Sequence, residues 1–141
     1  MRDHAVSVFV LAKRKGGDSY ETVLVSDPRK PSSLWKCPGG KGEGDESPVD
    51  TAVREIREET GISLDPLALA QIYRADKGTH DKYAFVVYLD ELPPLKKVGD
   101  EGEMVAVWQL EEMYEAVDIL PSHYFEFIEP VLRSVLNIPA E

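Results

Sequence analysis

Glu55, Glu58 and Glu59 stand at i, i+3 and i+4 in the run Arg54-Glu55-Ile56-Arg57-Glu58-Glu59. On a helix that spacing projects three carboxylates onto one patch of surface. Like charges so placed repel, at about 0.2–0.5 kcal/mol per pair. A hard divalent cation relieves the repulsion. Magnesium suits the task because it takes oxygen ligands, keeps several waters and shares its coordination with substrate phosphates. Glutamate runs also occur on solvated helix faces, where Arg54 and Arg57 would simply pair with them. The residues around the run decide between the two.

Gly40 is followed by five residues and then by Glu46, and seven residues later comes Arg54-Glu55-Ile56-Arg57-Glu58-Glu59-Thr60-Gly61-Ile62. This segment resembles the Nudix box: G, five of any, E, seven of any, then R-E-U-x-E-E-x-G-U, with U a bulky aliphatic residue. Every specified position matches. At average residue usage a chance match at a given start is on the order of one in a billion, which sets aside the solvated-face reading. Pro38-Gly39-Gly40-Lys41 with Glu43, and Leu34-Trp35 before them, are also similar to MutT-type Nudix hydrolases. The specific part of the resemblance runs from Trp35 to Ile62; over the rest of the chain it is one of layout.

The resemblance implies roles. Glu55, Glu58 and Glu59 would be metal ligands, joined by the carbonyl oxygen of Gly39, with Mg2+ as the metal and Mn2+ able to substitute. Arg54, four residues before Glu58, would hold that carboxylate, although the same spacing suits a plain surface ion pair. Glu46 would brace the loop against the helix, and Gly40 and Gly61 would serve conformation. Family members often draw a further glutamate from the loop before a late strand, here Gly99 to Glu103. Glu101 and Glu103 both qualify; Asp100-Glu101-Gly102 is closer to the MutT version, and an ordinary acidic loop is the alternative. The general base stays open among Glu55, Glu58, Glu101 and Glu103. The implied reaction is hydrolysis of a phosphoanhydride in a nucleoside diphosphate linked to another group, which demands positioning and charge neutralisation more than covalent chemistry.

Local signals supply the elements that must hold these residues. Ser47 caps a helix, Pro48 suits its first position, Asp50 sits in its first turn and Gly61 stops it. Val49, Ala52, Val53 and Ile56 form its apolar stripe. Strands are expected over Ala5–Lys13, Thr22–Val25, Leu67–Tyr73, Tyr83–Leu89 and Met104–Leu110, with a short extended piece over Leu34–Cys37. Asp27–Ser33 reads as a loop, and Gly39–Asp45, with four glycines, as a tight exposed one. Glu111–Val117 reads as a short helix. Pro121 opens a final helix to about Leu136, with Phe125, Ile128, Val131, Leu132 and Val135 facing inward. The order implies one α/β domain over residues 1–141: an α/β/α sandwich of the Nudix type with a central mixed sheet.

Composition narrows the partners. The chain has 141 residues, 26 acidic against 16 basic, for a formal charge of −10. Such a balance gives no basic stripe for a long nucleic acid, although Arg29, Lys30 and Lys41 could form a local patch. The one cysteine, Cys37, precludes an internal disulfide and a cysteine-based zinc cluster; it reads as a small buried hydrophobe. Ala5–Ala12 is too short to span a membrane and has no basic leader, so a cytoplasmic location is expected. Lys41, His80 and Tyr83 are candidates for substrate contact, and Trp35, Tyr73 and Tyr88 are aromatics able to stack or to pack. His4 and His123 carry no readable signal.

Marks of particular Nudix subfamilies are mostly missing, with Tyr83 a loosely placed candidate for the tyrosine associated with dinucleoside polyphosphate cleavage. Ile128 stands where MutT carries an asparagine that reads an oxidised guanine. Gly78 stands where ADP-ribose hydrolases often carry proline. The expected substrate is a compact nucleotide of the NTP, dNTP or NDP type. The alternatives are removal of pyrophosphate from a triphosphorylated RNA end and, in a different class, a regulator that binds nucleotide without cutting it.

Overall fold

The computed structural model describes residues 3–14, 17, 19–27, 29, 34–114, 116, 118–119 and 121–136. Its centre is β1 (His4–Lys13), a Val- and Phe-rich strand buried along nearly its whole length. Strand alternation sends its side chains to two separate cores. Val6, Val8, Val10 and Ala12 join one cluster, and Phe9 and Leu11 join the other.

One edge of β1 pairs in parallel with β6 (Asp81–Leu89), from His4↔Asp81 to Ala12↔Leu89. The other edge is divided. Its start pairs with β4 (Gly39–Lys41) and its end with β2 (Tyr20–Ser26), both antiparallel. β3 (Trp35–Lys36) and β7 (Met104–Gln109) add to β2, and β5 (Ala70–Asp76) adds to β6. The result is a seven-stranded mixed sheet. Helix α1 (Pro48–Thr60) covers one face through Ala52 and Ile56. The other face is covered by α2 (Leu110–Tyr114), α3 (Pro121–His123), a π-helical turn over Tyr124–Ile128, and α4 (Glu129–Val135). This is the expected α/β/α arrangement. Among the described residues, no helix is long and apolar enough to cross a membrane.

The caps of α1 are as its sequence implies. Ser47 Oγ accepts the amide of Asp50 at 3.1 Å, and Gly61, at φ 85°, closes the helix by donating to the Arg57 carbonyl. Elsewhere the boundaries shift. Pro66–Ala68 forms a 3-10 turn capped by Asp65, so β5 begins only at Ala70. The expected loop over Asp27–Ser33 falls largely outside the described residues, as do Lys30 and the end of the Glu111–Val117 helix.

Two expectations fail for identifiable reasons. Gly39–Lys41 is a paired strand, and Gly39 is buried rather than exposed. A Cβ on Gly39 would overlap the Val6 carbonyl oxygen, so the glycine marks a close backbone approach. In the last helical segment Phe125 is 67 % exposed, while Tyr124 and Phe127 join Ile128 and Leu132 in the core. The Glu129 amide bonds to the Tyr124 carbonyl, a five-residue step. Pro130 has no amide to continue the ordinary ladder, and the wider turn rotates the preceding residues out of 3.6-residue register.

Candidate functional site

The glutamates of α1 meet the sheet where β1 is split between β2 and β4. Gly40 faces them: a Cβ there would lie 2.5 Å from Glu55 Cδ. Gly39 donates its amide to Glu59 Oε1 at 2.7 Å. The loop before β7 docks on the end of the same helix. The Asp100 amide donates to the Glu58 carbonyl at 3.1 Å, and the Lys96 amide donates to the Thr60 carbonyl at 2.9 Å. Glu103 is thereby buried, at 6 % exposure, with Oε1 accepting the Glu101 amide. The cavity so formed, of about 300 Å³, is lined by Asp27, Glu43, Glu55, Glu59, Glu101 and Glu103 together with Arg29, Lys36, Lys41, Gly39 and Gly40. Six carboxylates face three cations there.

Arg54 is the organiser of the helix face. Its Nε and Nη2 donate to both oxygens of Glu46, at 2.7 and 3.0 Å, and Nη2 also donates to the Lys41 carbonyl. Its Nη1 donates to Glu55 at 3.0 Å and to Glu58 at 3.2 Å. Glu46 also accepts the Glu43 amide and the Thr51 hydroxyl. The Arg54 hydrogen bond, helped by these donors, holds the Glu46 carboxyl down at about 2. The guanidinium itself is raised, chiefly by Glu46.

The carboxylates nearest the cavity are shifted the other way. Burial pushes Glu59 up to about 8, against the opposing Gly39 amide and Lys36, with Glu55 and Glu103 adding like-charge repulsion. Burial also raises Glu55, opposed by Arg54. A buried carboxyl whose charge is so poorly compensated is a fit for a hard cation. The side chains are not gathered around one point: among the described residues no three acidic, histidine or cysteine side chains form a group able to hold a metal ion. Arg54 draws Glu55 and Glu58 toward itself, and Glu58 does not line the cavity.

Two of the three expected substrate residues, Lys41 and His80, line cavities, and Tyr83 does not. Lys41 lines the carboxylate cavity and also a neighbouring one with His80. Tyr83 lines neither; its ring packs edge-on against His4, with the Arg74 guanidinium over it. Of the other aromatics, Trp35 packs edge-on against Trp108 and Tyr88 edge-on against Tyr20, while Tyr73 packs tilted against Phe127. Cys37 is buried at 1 % exposure, and burial pushes its thiol up to about 12, as suits an inert core residue.

Sequence reasoning passed over Asp27, Lys36, His4 and Lys82, which only strand register brings into place. Lys82 donates to Ser7 Oγ at 2.7 Å, and burial, aided by Lys36, lowers its ammonium to about 8. Its pKa is thus depressed on folding. The associated stability is present above the unfolded value near 10.5 and lost as pH falls through about 8. Lys82→Met is therefore expected to raise stability by about 1–2 kcal/mol at pH 7, with the gain fading near pH 10. Urea titrations at the two pH values check this; an equal gain at both would contradict it.

Gly40→Ala offers a second check. The added Cβ meets the carboxylate end of Glu55 rather than backbone. The carboxylate should move while the fold survives. Such a misplacement should cost roughly 10²-fold in turnover with little change in melting temperature. Wild-type turnover in this variant would contradict the placement of Glu55.

The comparisons agree with this architecture. A family model described as the NUDIX domain matches residues 1–129. An ADP-ribose pyrophosphatase of Bacillus subtilis (strain 168) is 33 % identical over 111 residues, covering 76 % of this chain and 58 % of that protein. Phosphatase NudJ of Escherichia coli (strain K12) is 28 % identical over 100 residues, covering 69 % and 65 %. A solved MutT structure, from work on Aliivibrio salmonicida and Vibrio cholerae, superposes with a TM-score of 0.70 at 22 % identity, over 97 % of this chain and 98 % of that one, a likeness of fold. The chain spans less than two-thirds of the length of these two curated relatives. With the family model matching most of its length, and with a helix, glycine strand and docked acidic loop arranged as described, the chain belongs to the Nudix family.

Proposed function

We propose that this chain is a metal-dependent pyrophosphohydrolase that cleaves a phosphoanhydride in a nucleoside diphosphate joined to a small group. The observation that carries this is the cavity of six carboxylates closed by an arginine-braced helix. Mg2+ is the metal, Mn2+ able to substitute, held by Glu55, Glu58, Glu59 and the Gly39 carbonyl. Glu58 is 39 % exposed and has room to turn from Arg54 toward the cavity. When bound, divalent metal neutralises charge developing on the phosphates and supplies a nucleophilic water at neutral pH.

The chain's own residues supply the rest. Arg54 fixes the direction of Glu55 and Glu58, and Glu46 fixes Arg54. Lys36, Lys41 and Arg29 stand at the cavity wall where they attract the diphosphate. The water's proton goes to a carboxylate. Glu103 suits that role better than Glu101: it is buried and fixed, whereas Glu101 is 71 % exposed and lies 3.5 Å from Arg29. Cavities of about 300 and 350 Å³ suit a compact nucleotide derivative, such as an NTP, a dNTP or the kind of substrate named for the Bacillus ADP-ribose pyrophosphatase.

The test is a substrate panel with chromatography of the products: dNTPs, NTPs, 8-oxo-dGTP, ADP-ribose, dinucleoside polyphosphates and triphosphorylated RNA, each with Mg2+ or Mn2+. Selective release of a nucleoside monophosphate, abolished by a chelator, is the expected result. Silence across the panel with metal demonstrably bound would point to a nucleotide-binding regulator instead.

A further inference from the structure

Lys82 has no part in the hydrolysis proposed above. It stands on β6, partly buried, and strand register places Ala5 of β1 and Ala75 of β5 on either side of it. Those methyl groups give its ammonium nothing to pair with. Its Nζ donates to Ser7 Oγ at 2.7 Å, and among the described residues that hydroxyl is the side chain's one hydrogen-bond partner. A hydroxyl brings no counter-charge.

The groups around it disfavour a cation. Lys36 on β3 and Lys77 on the β5–β6 turn are both positive and both act on it. Glu126 also acts on it, but is ion-paired with Lys77. Cys37 faces the same space as a neutral thiol. Burial first, and Lys36 next, lower the Lys82 ammonium to about 8. At pH 7 about a tenth of it is then the free amine, against fewer than about one in a thousand for a lysine at its ordinary value. A nucleophilic amine is thus held beside two cations, with no carboxylate of its own.

Such an amine suits a small, uncharged electrophile whose adduct is an anion. Carbon dioxide is one. The amine nitrogen attacks its carbon, the C–N bond forms as one C=O π pair moves to oxygen, and an amine proton leaves to water, giving Lys–NH–COO⁻ and H⁺. No oxidant or further reagent is consumed. The product places an anion where cations stand. Lys36 and Lys77 become its counter-charges, and the Ser7 hydroxyl, which can donate as well as accept, bonds to a carbamate oxygen. We infer that Lys82 is a carbon dioxide site, carried as a carbamate beside Lys36 and Lys77 and hydrogen-bonded to Ser7. This holds whether or not the chain hydrolyses phosphoanhydrides.

The probe is 13C-labelled bicarbonate with its dissolved carbon dioxide, given to the whole chain. Triethyloxonium then fixes any carbamate as its ethyl ester, and peptide mass spectrometry locates the label. The α-amino group, whose ordinary value is also near 8, serves as internal reference. At about pH 7 Lys82 should carry at least about tenfold more label than any exposed lysine, and at fixed total carbonate its label should rise severalfold by about pH 8 as the amine loses its proton. Lys82→Arg keeps the charge, and Lys82→Met is the variant already expected to fold more stably. Both should lose this label and keep that of the α-amino group. A thermal melt gives a second readout. Bicarbonate, compared with chloride at equal ionic strength, should raise the melting temperature of the wild type and not of Lys82→Met, because the carbamate forms preferentially in the native chain. Label confined to the α-amino group and exposed lysines, or an equal rise in melting temperature for the two proteins, would overturn the assignment.

Discussion

Glu58→Gln is expected to lower kcat by about 10³-fold, the upper range for losing one preorganised electrostatic group. The fold should not notice. Glu58 is partly exposed, and among the described residues its carboxylate hydrogen-bonds to Arg54 alone. A change at such a position ordinarily stays within about 0.5 kcal/mol in stability. Turnover measured beside a thermal melt separates the two effects. Near-normal turnover would refute metal catalysis through this helix, and a large fall in melting temperature would mean that the residue serves the fold instead.

Arg54→Ala is expected to damage both stability and activity. The guanidinium is 15 % exposed and pairs with Glu46, Glu55 and Glu58 at once. Its removal leaves three acidic groups facing one another with no counter-charge, and breaking such a partly buried network costs about 3 kcal/mol. In a domain of this size that lowers the melting temperature by roughly 10 °C. Lysine should not rescue it, since a single ammonium cannot address both oxygens of Glu46 and two further carboxylates together. A melting temperature within about 2 °C of wild type, or full rescue by Arg54→Lys, would show that the network is a surface ornament.

The helix and its carboxylates were legible in the sequence because their signals are local. A capping serine, a proline at the first turn, a stop glycine and an i, i+3, i+4 acidic triplet all lie within one short segment. The resemblance then extended that reading to Gly39 and to the loop before β7. What was illegible depends on contacts between distant segments. Glycines mark turns and close approaches alike, so nothing local revealed that Gly39 passes against Val6 as part of a strand. Phe125 fits an ideal helical stripe, and only the widened turn before Pro130 puts Phe127 in its place. Glu101 matched the family pattern more closely, yet the docked loop buries Glu103. His4, with no sequence signal, became the wall of a cavity through the register of β1 against β4 and its bond to Thr51.

The central claim is that metal held by this glutamate helix directs water onto a phosphoanhydride. It is tested most directly by running the best substrate of the panel in 18O-labelled water, with magnesium and with chelator, and weighing the products by mass spectrometry. The account predicts one labelled oxygen in a single phosphate product with magnesium, and no reaction with chelator. Undiminished turnover in chelator, or products carrying no label, would contradict it.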